Sequence, residues 1–310
     1  MTDLLGPAYV SARWGFYLAV FLVIGASSFA PFFLARSELE RRFPEVGRDL
    51  SQRARVVGLV GSVLVLLFCL VRLWLQSRTL LDPEEPLTRE FLRAVLDSTW
   101  GHGWKRQVSS SVIAAVGFIV ARSWRSGWVF AIAASLALGL TTGMTGHAAA
   151  AEAGRYGWLI DAGHVGAGGI WMGGLFVLVL AGLPAVRLAD PEVRSSARRH
   201  LVGLFSSRAL VVAPLTVGFG AWLGVQYLGW SWPLSLLKSS YGGALAVKVG
   251  LVIAIAVLGA RNWRYVQPRL EQPEGERLFR RTGGAEVFLG VLVLGVTAVL
   301  VALSFAEHGS

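Results

Sequence analysis

WLIDAGHVGAGGIWMGGLFVLVLAGLPAV, Trp158–Val186, holds one aspartate, one histidine and no basic residue in an otherwise apolar, glycine-dense run. At about 1.5 Å of rise per residue it is long enough to cross a ~30 Å hydrocarbon core. Once this stretch is read as a membrane span, the rest of the chain falls into the same pattern. Apolar runs recur at Trp14–Ala35, Val56–Gln76, Val108–Ala121, Gly127–Gly146, Ala209–Trp230, Gly243–Ala260 and Val287–Phe305. Only helices or closed barrels satisfy their backbone groups in lipid, and these runs have the helical length. They predict an all-α, polytopic transmembrane helix bundle of about eight spans, forming a single integral membrane domain over residues 1–310.

The composition agrees. Of 310 residues, 54% are apolar and 15% charged, where a soluble domain carries roughly 25% charged residues. That composition argues against a water-soluble enzyme. Cys69 is the sole cysteine and lies inside LVLLFCLV, which rules out an intrachain disulfide framework or a CxxC site. The net charge of +10 reads as topology rather than nucleic-acid binding. Nineteen Lys and Arg fall in the first, third, fifth and seventh loops, against eight on the other side. The positive-inside rule then puts the odd loops in the cytoplasm and both termini outside. The N-terminal MTDLLGPAYVSARWG has no basic n-region, so the first span is expected to stay uncleaved. Two short interfacial helices are expected, Pro86–Leu96 outside and Asp190–Phe205 inside, their arginines facing anionic lipid headgroups.

Ionisable groups inside spans are costly, so each is a candidate site. Arg72 is expected to snorkel to the interface, and Glu286 to be solvated or paired with an arginine at the cytoplasmic face. His147, Asp161 and His164 are brought together by topology. His147 ends the fourth span in GLTTGMTGHAAA, and Asp161 and His164 stand at i, i+3 on the fifth. Lys248 enters at a similar depth and is a reasonable ion-pair partner for Asp161. Met144 shares a helix face with His147, while Met172, about 12 Å along the axis from His164, cannot join its coordination shell unless the helix is broken and would be a deeper, second stopping point. Imidazole and thioether together suit copper, Cu(I) above all. The bland alternative leaves the histidines as caps and hydrogen-bond donors and the methionines as gap fillers. Gly139/Gly143, Gly169/Gly173 and Gly220/Gly224 have the GxxxG spacing of close helix contacts, and the glycines around the fifth span allow a local distortion.

These residues resemble the copper resistance protein D (CopD/PcoD) family of bacterial integral membrane copper proteins. The likeness runs from RRHLVGLFSSRAL through YGGALAVKVGLVIAIAVLGARNW to GGAEVFLGVLVLGVTAVLVAL, with GHAAA, DAGHVGAGGIWMGGL and STWGHGWKRQ upstream. It is strongest over about 140–305. The resemblance implies an eight-span copper transport and homeostasis protein, not an enzyme, handling Cu(I) or Cu(II), often beside a periplasmic copper-binding partner. It points to His147 and His164, with Lys248 and Glu286 at family-like polar positions. On this reading Met144, Met172 and Asp161 complete the metal set, and His102, between Trp100 and Trp104, is either an outer ligand on the way in or part of an aromatic belt. His200 is expected at the cytoplasmic interface and His308 near a loose end. Two other readings stand beside this one: a haem-binding membrane oxidoreductase with His147 and His164 as axial ligands, and a non-transporting scaffold.

Overall fold

A computed structural model describes residues 6–30, 38–82, 84–145, 157–230 and 239–308. Among the described residues the regular structure is all helix, with no strand. Helix α1 is Pro7–Ser27, α2 Glu38–Arg42, α3 Pro44–Thr79, α4 Arg89–Asp97, α5 Thr99–Val120 and α6 Ser126–Thr142. Then come α7 over Gly157–Arg187, α8 Pro191–Leu228, α9 Ser240–Arg269 and α10 Pro273–His308. Local chemistry sets several starts. Proline opens α1, α3 and α8, where its missing N–H costs nothing. Thr88, Ser98 and Ser239 cap α4, α5 and α9, each hydroxyl accepting a backbone N–H at 3.0–3.2 Å.

Six helices are long and apolar enough to cross a membrane: α1, α3, α7, α8, α9 and α10. The third and fourth expected spans fall on α5 and α6. Helix α6 is apolar but shorter, and α5 carries Lys105, Arg106 and Gln107 in its first half, so length and composition alone do not carry a count of eight. The polar residues Gln107, Ser110 and Ser111 of α5 are buried against protein rather than lipid. Their presence therefore does not argue against a membrane location.

The expected interfacial helix over Asp190–Phe205 is not a separate element. It is the first part of α8, which continues unbroken to Leu228, and the Asp190 side chain makes no capping bond. Arginine propagates a helix well, and no glycine or proline between Phe205 and Ala209 ends this one. In the same way α3 begins at Pro44 and α10 at Pro273, both well before their apolar runs. The amphipathic helix expected over Pro86–Leu96 is present as α4.

Helix α1 sits at the centre, packed against α3, α6, α7 and α10. Phe16, Val20, Val23 and Ile24 on it are buried. The closest approach is to α7. A Cβ on Gly25 would strike the Gly173 backbone, and one on Gly173 would strike the Phe21 carbonyl. Here α7 departs from α-helical register in two π-turns, Gly169–Gly173 and Leu178–Gly182. The outward faces carry Val60, Leu67, Trp74, Ile113, Phe130 and Val257, all exposed, as a lipid-facing surface requires.

Arg72 does not snorkel. It is 3% exposed, its guanidinium donates to Gln107 Oε1 at 3.1 Å, and it lies 4.3 Å from the Phe16 ring centroid. Gln107 in turn donates to the Thr141 carbonyl at 2.9 Å. Nearby, buried Arg13 donates to the Tyr9 hydroxyl at 2.8 Å, which donates to Gln76 at 3.0 Å. These bonds bind α1, α3, α5 and α6 through the interior, so protein acceptors and an aromatic face replace the water that snorkelling would have sought.

Candidate metal centre

Asp161 and His164 lie on the first, α-helical part of α7, Gly157–Gly168, and share a face as the i, i+3 spacing requires. Each reaches a different neighbour. The His164 ring packs against Gly220 of α8, where a Cβ would stand 2.9 Å from Cε1 and 3.2 Å from Nδ1. Its Nδ1 is 2.9 Å from the Thr216 carbonyl oxygen on the same helix. A carbonyl only accepts, so Nδ1 carries a proton, and in the neutral ring Nε2 keeps its lone pair. That is the arrangement by which a backbone carbonyl orients a metal-binding imidazole.

Asp161 leans the other way. Its Oδ2 occupies the space where Gly143, at the end of α6, has no side chain. Lys248 on α9 is near enough for its charge to bear on Asp161 and His164, but the expected ion pair with Asp161 does not form within 4.0 Å among the described residues. Gly143 opens the 3-10 turn Gly143–Thr145, which also carries Met144. The Met144 thioether accepts from Arg106 Nη1 of α5 at 3.2 Å. Asp161, His164, Met144 and Lys248 therefore gather from α6, α7 and α9 at one end of the bundle. His147, three residues beyond Met144, lies outside the described residues.

The remaining candidates are elsewhere. Met172 stands in the first π-turn of α7, 4% exposed, with its Cε against Gly290 of α10, where a Cβ would be 2.7 Å away. It packs the interior, about two turns along α7 from His164. His102 is exposed on the first turn of α5. Beside it Lys105 bonds Asp97 at 3.0 Å and holds that carboxyl below the usual carboxylate range. Glu286 is neither solvated nor paired with an arginine: it is 7% exposed and accepts from Asn262 Nδ2 at 2.6 Å. Asn262 opens the π-turn Asn262–Val266 of α9, close to the end opposite His164.

Sequence reasoning missed Thr216, Gly220, Arg106 and Asn262. Gly220 was visible as half of a GxxxG pair, though not as room for an imidazole. The Thr216 carbonyl has no signature, because every residue has one. Among the described residues no three His, Cys, Asp or Glu side chains converge as a metal cluster. What the site offers is one oriented imidazole, a carboxylate and a nearby thioether. A soft ion held so sparsely would exchange readily.

Residues 1–158 match the copper resistance protein D-like N-terminal domain, and residues 199–300 match copper resistance protein D. Copper transport protein CutJ of Bacillus subtilis (strain 168) is 29% identical over 309 residues, covering 96% of this chain and 53% of that protein. The chain thus spans about half the length of the curated relative it matches. No solved structure matches the chain.

Proposed function

The chain belongs to the copper resistance protein D family, and on that premise we propose that it moves copper across the membrane through a site centred on His164. The observation that carries this reading is the His164 ring itself, fixed by the Thr216 carbonyl with Nε2 left as a lone-pair donor. His147 supplies a second imidazole, and Met144 a thioether once Arg106 yields it. Asp161 offers an oxygen and balances Lys248. Such a set favours Cu(I) and leaves coordination positions open, which a transport site needs if the ion is to leave again.

In this reading the His164 end faces outward, both chain termini are extracytoplasmic, and eight helices cross the plasma membrane. His102, exposed on α5 at that same end, receives copper from a periplasmic copper-binding protein. Transport runs inward, and the chain is a carrier without enzymatic chemistry.

Copper retained by the purified, reconstituted protein tests the site. His164→Ala and His147→Ala are each expected to abolish stoichiometric copper, and the double variant to take up none into liposomes. Unchanged copper content in the double variant overturns the assignment. A Soret band in the pure protein would instead favour haem ligation by the same histidines.

A further inference from the structure

A second buried polar pair stands well away from the candidate metal centre, outside the set of residues proposed above to hold copper. Glu286 of α10 and Asn262 of α9 are each 7% exposed, and Glu286 Oε1 accepts from Asn262 Nδ2 at 2.6 Å. The other amide atom of Asn262, Oδ1, is buried without a protein partner. Gly259, one turn earlier, leaves the approach open: a Cβ there would still be 3.9 Å from Glu286 Oε1. Fourteen residues of α9 separate Lys248 from Asn262, about 21 Å at 1.5 Å per residue, so this pair is distinct from the His164 site.

The charges around it do not compensate a carboxylate. Asn262 is the polar group acting on Glu286 among the described residues. On α9, Arg261, Arg264, Tyr265 and Arg269 are exposed, as are Arg277, Arg280 and Arg281 on α10 itself. Glu276 is paired with Arg198 at 2.9 Å. Helix α1 carries Tyr9, Arg13 and Tyr17 in its first half, towards the opposite end, and α7 meets α10 through Met172 and Phe176 at Gly290. A buried carboxylate charge with one neutral donor is costly. A hard metal cation would want roughly six or more oxygens, and this pair provides two carboxylate oxygens and one amide oxygen. A proton needs only one.

The geometry points to Glu286 as a proton-binding site inside the bundle, with Asn262 as its positioning residue. The proton goes from water to the carboxylate oxygen not bonded to Asn262 and returns to water on release. The idle Asn262 Oδ1 holds the water that delivers it. No electrons move and no other bond changes.

Infrared difference spectroscopy of the copper-free, full-length protein in lipid tests this across a pH titration. One protonated-carboxyl band is expected to vanish on raising the pH, to be missing in Glu286→Gln, and to persist in Glu192→Gln, whose side chain is exposed. Asn262→Ser is expected to move the band and its titration midpoint without removing it, which a merely structural contact would not do. The same band in Glu286→Gln, or no titrating band in the native protein, overturns the proposal. Because the measurement needs no copper, loss of the copper reading would leave it standing.

Discussion

The absence of a methyl group at Gly220 decides where the His164 ring can sit. Alanine there would put a Cβ 2.9 Å from Cε1, closer than real side-chain contacts allow, and would push Nδ1 off the Thr216 carbonyl. Outer-shell losses of this kind cost about 10- to 100-fold in metal affinity. Gly220→Ala is therefore expected to weaken copper binding by roughly tenfold or more while leaving the helical spectrum intact. Gly218→Ala is the contrast, since nothing lies within 4 Å of its Cβ; it is expected to bind copper normally and gain about 0.5–1 kcal/mol from the better helix former. Equal copper titrations for the two variants would show that the gap does not position the ring. Of this site, Asp161, His164 and Lys248 were legible, because ionisable groups stand out against an apolar run. Met172 was legible as a soft atom but not as a packing one. Its methyl sits on Gly290, more than a hundred residues away in sequence, and no local pattern records that contact.

At the scale of elements, the glycines of GGIWMGG do what close spacing suggested, though with α1 as the partner. Gly173 lies against the Phe21 carbonyl and Gly25 against Gly173, so two backbones meet where no side chain intervenes. The π-turn Gly169–Gly173 coincides with this contact. Gly173→Ala must separate the helices, and overpacking of a tight core costs typically 1–3 kcal/mol. Earlier thermal aggregation in detergent than the native chain, with normal insertion into the membrane, is the expected result. A melt no lower than native would mean that the contact can relax freely. The helix ends were less legible than the spans. An arginine-rich amphipathic stretch reads alike whether it lies on the membrane as its own helix or extends a span, and only the tertiary ion pairs distinguish the two. Arg198 and Arg199 bond Glu276 and Glu271 at 2.9 Å each, which fastens the extension of α8 to the first turn of α10 and to the turn that precedes it.

For the whole molecule the open quantity is how many helices cross. Six qualify by length and hydropathy, yet α5 follows α3 over nearly its full depth. Arg72 of α3 bonds Gln107 of α5 at one level, Ser111 bonds the Ser62 carbonyl at 2.8 Å, and Arg55 reaches the Phe118 carbonyl at 3.4 Å near the other end. From Arg55 to Arg72 is about 25 Å of helix at 1.5 Å per residue, most of a ~30 Å hydrocarbon core. Helix α6 then returns beside α5, with Gly117 against Ala131 and Gly127 against Ala121. This packing supports a crossing by these two as well. The lone cysteine, Cys69, is buried at 0% exposure, so the native chain should be silent to maleimides and serve as its own background. Single cysteines at the exposed positions Arg125, between α5 and α6, and Arg89, on α4, are expected to label from opposite faces of sealed vesicles. Leu188→Cys, 71% exposed, should label with Arg125→Cys, and Trp230→Cys, 81% exposed, with Arg89→Cys. Labelling of Arg125→Cys from the same face as Arg89→Cys would reduce the bundle to six crossings, with the α5–α6 hairpin entering and leaving by one side. Replacing Arg72 by alanine takes a donor from the buried Gln107 amide in either topology and is expected to cost about 1–3 kcal/mol, read as an earlier thermal melt in detergent.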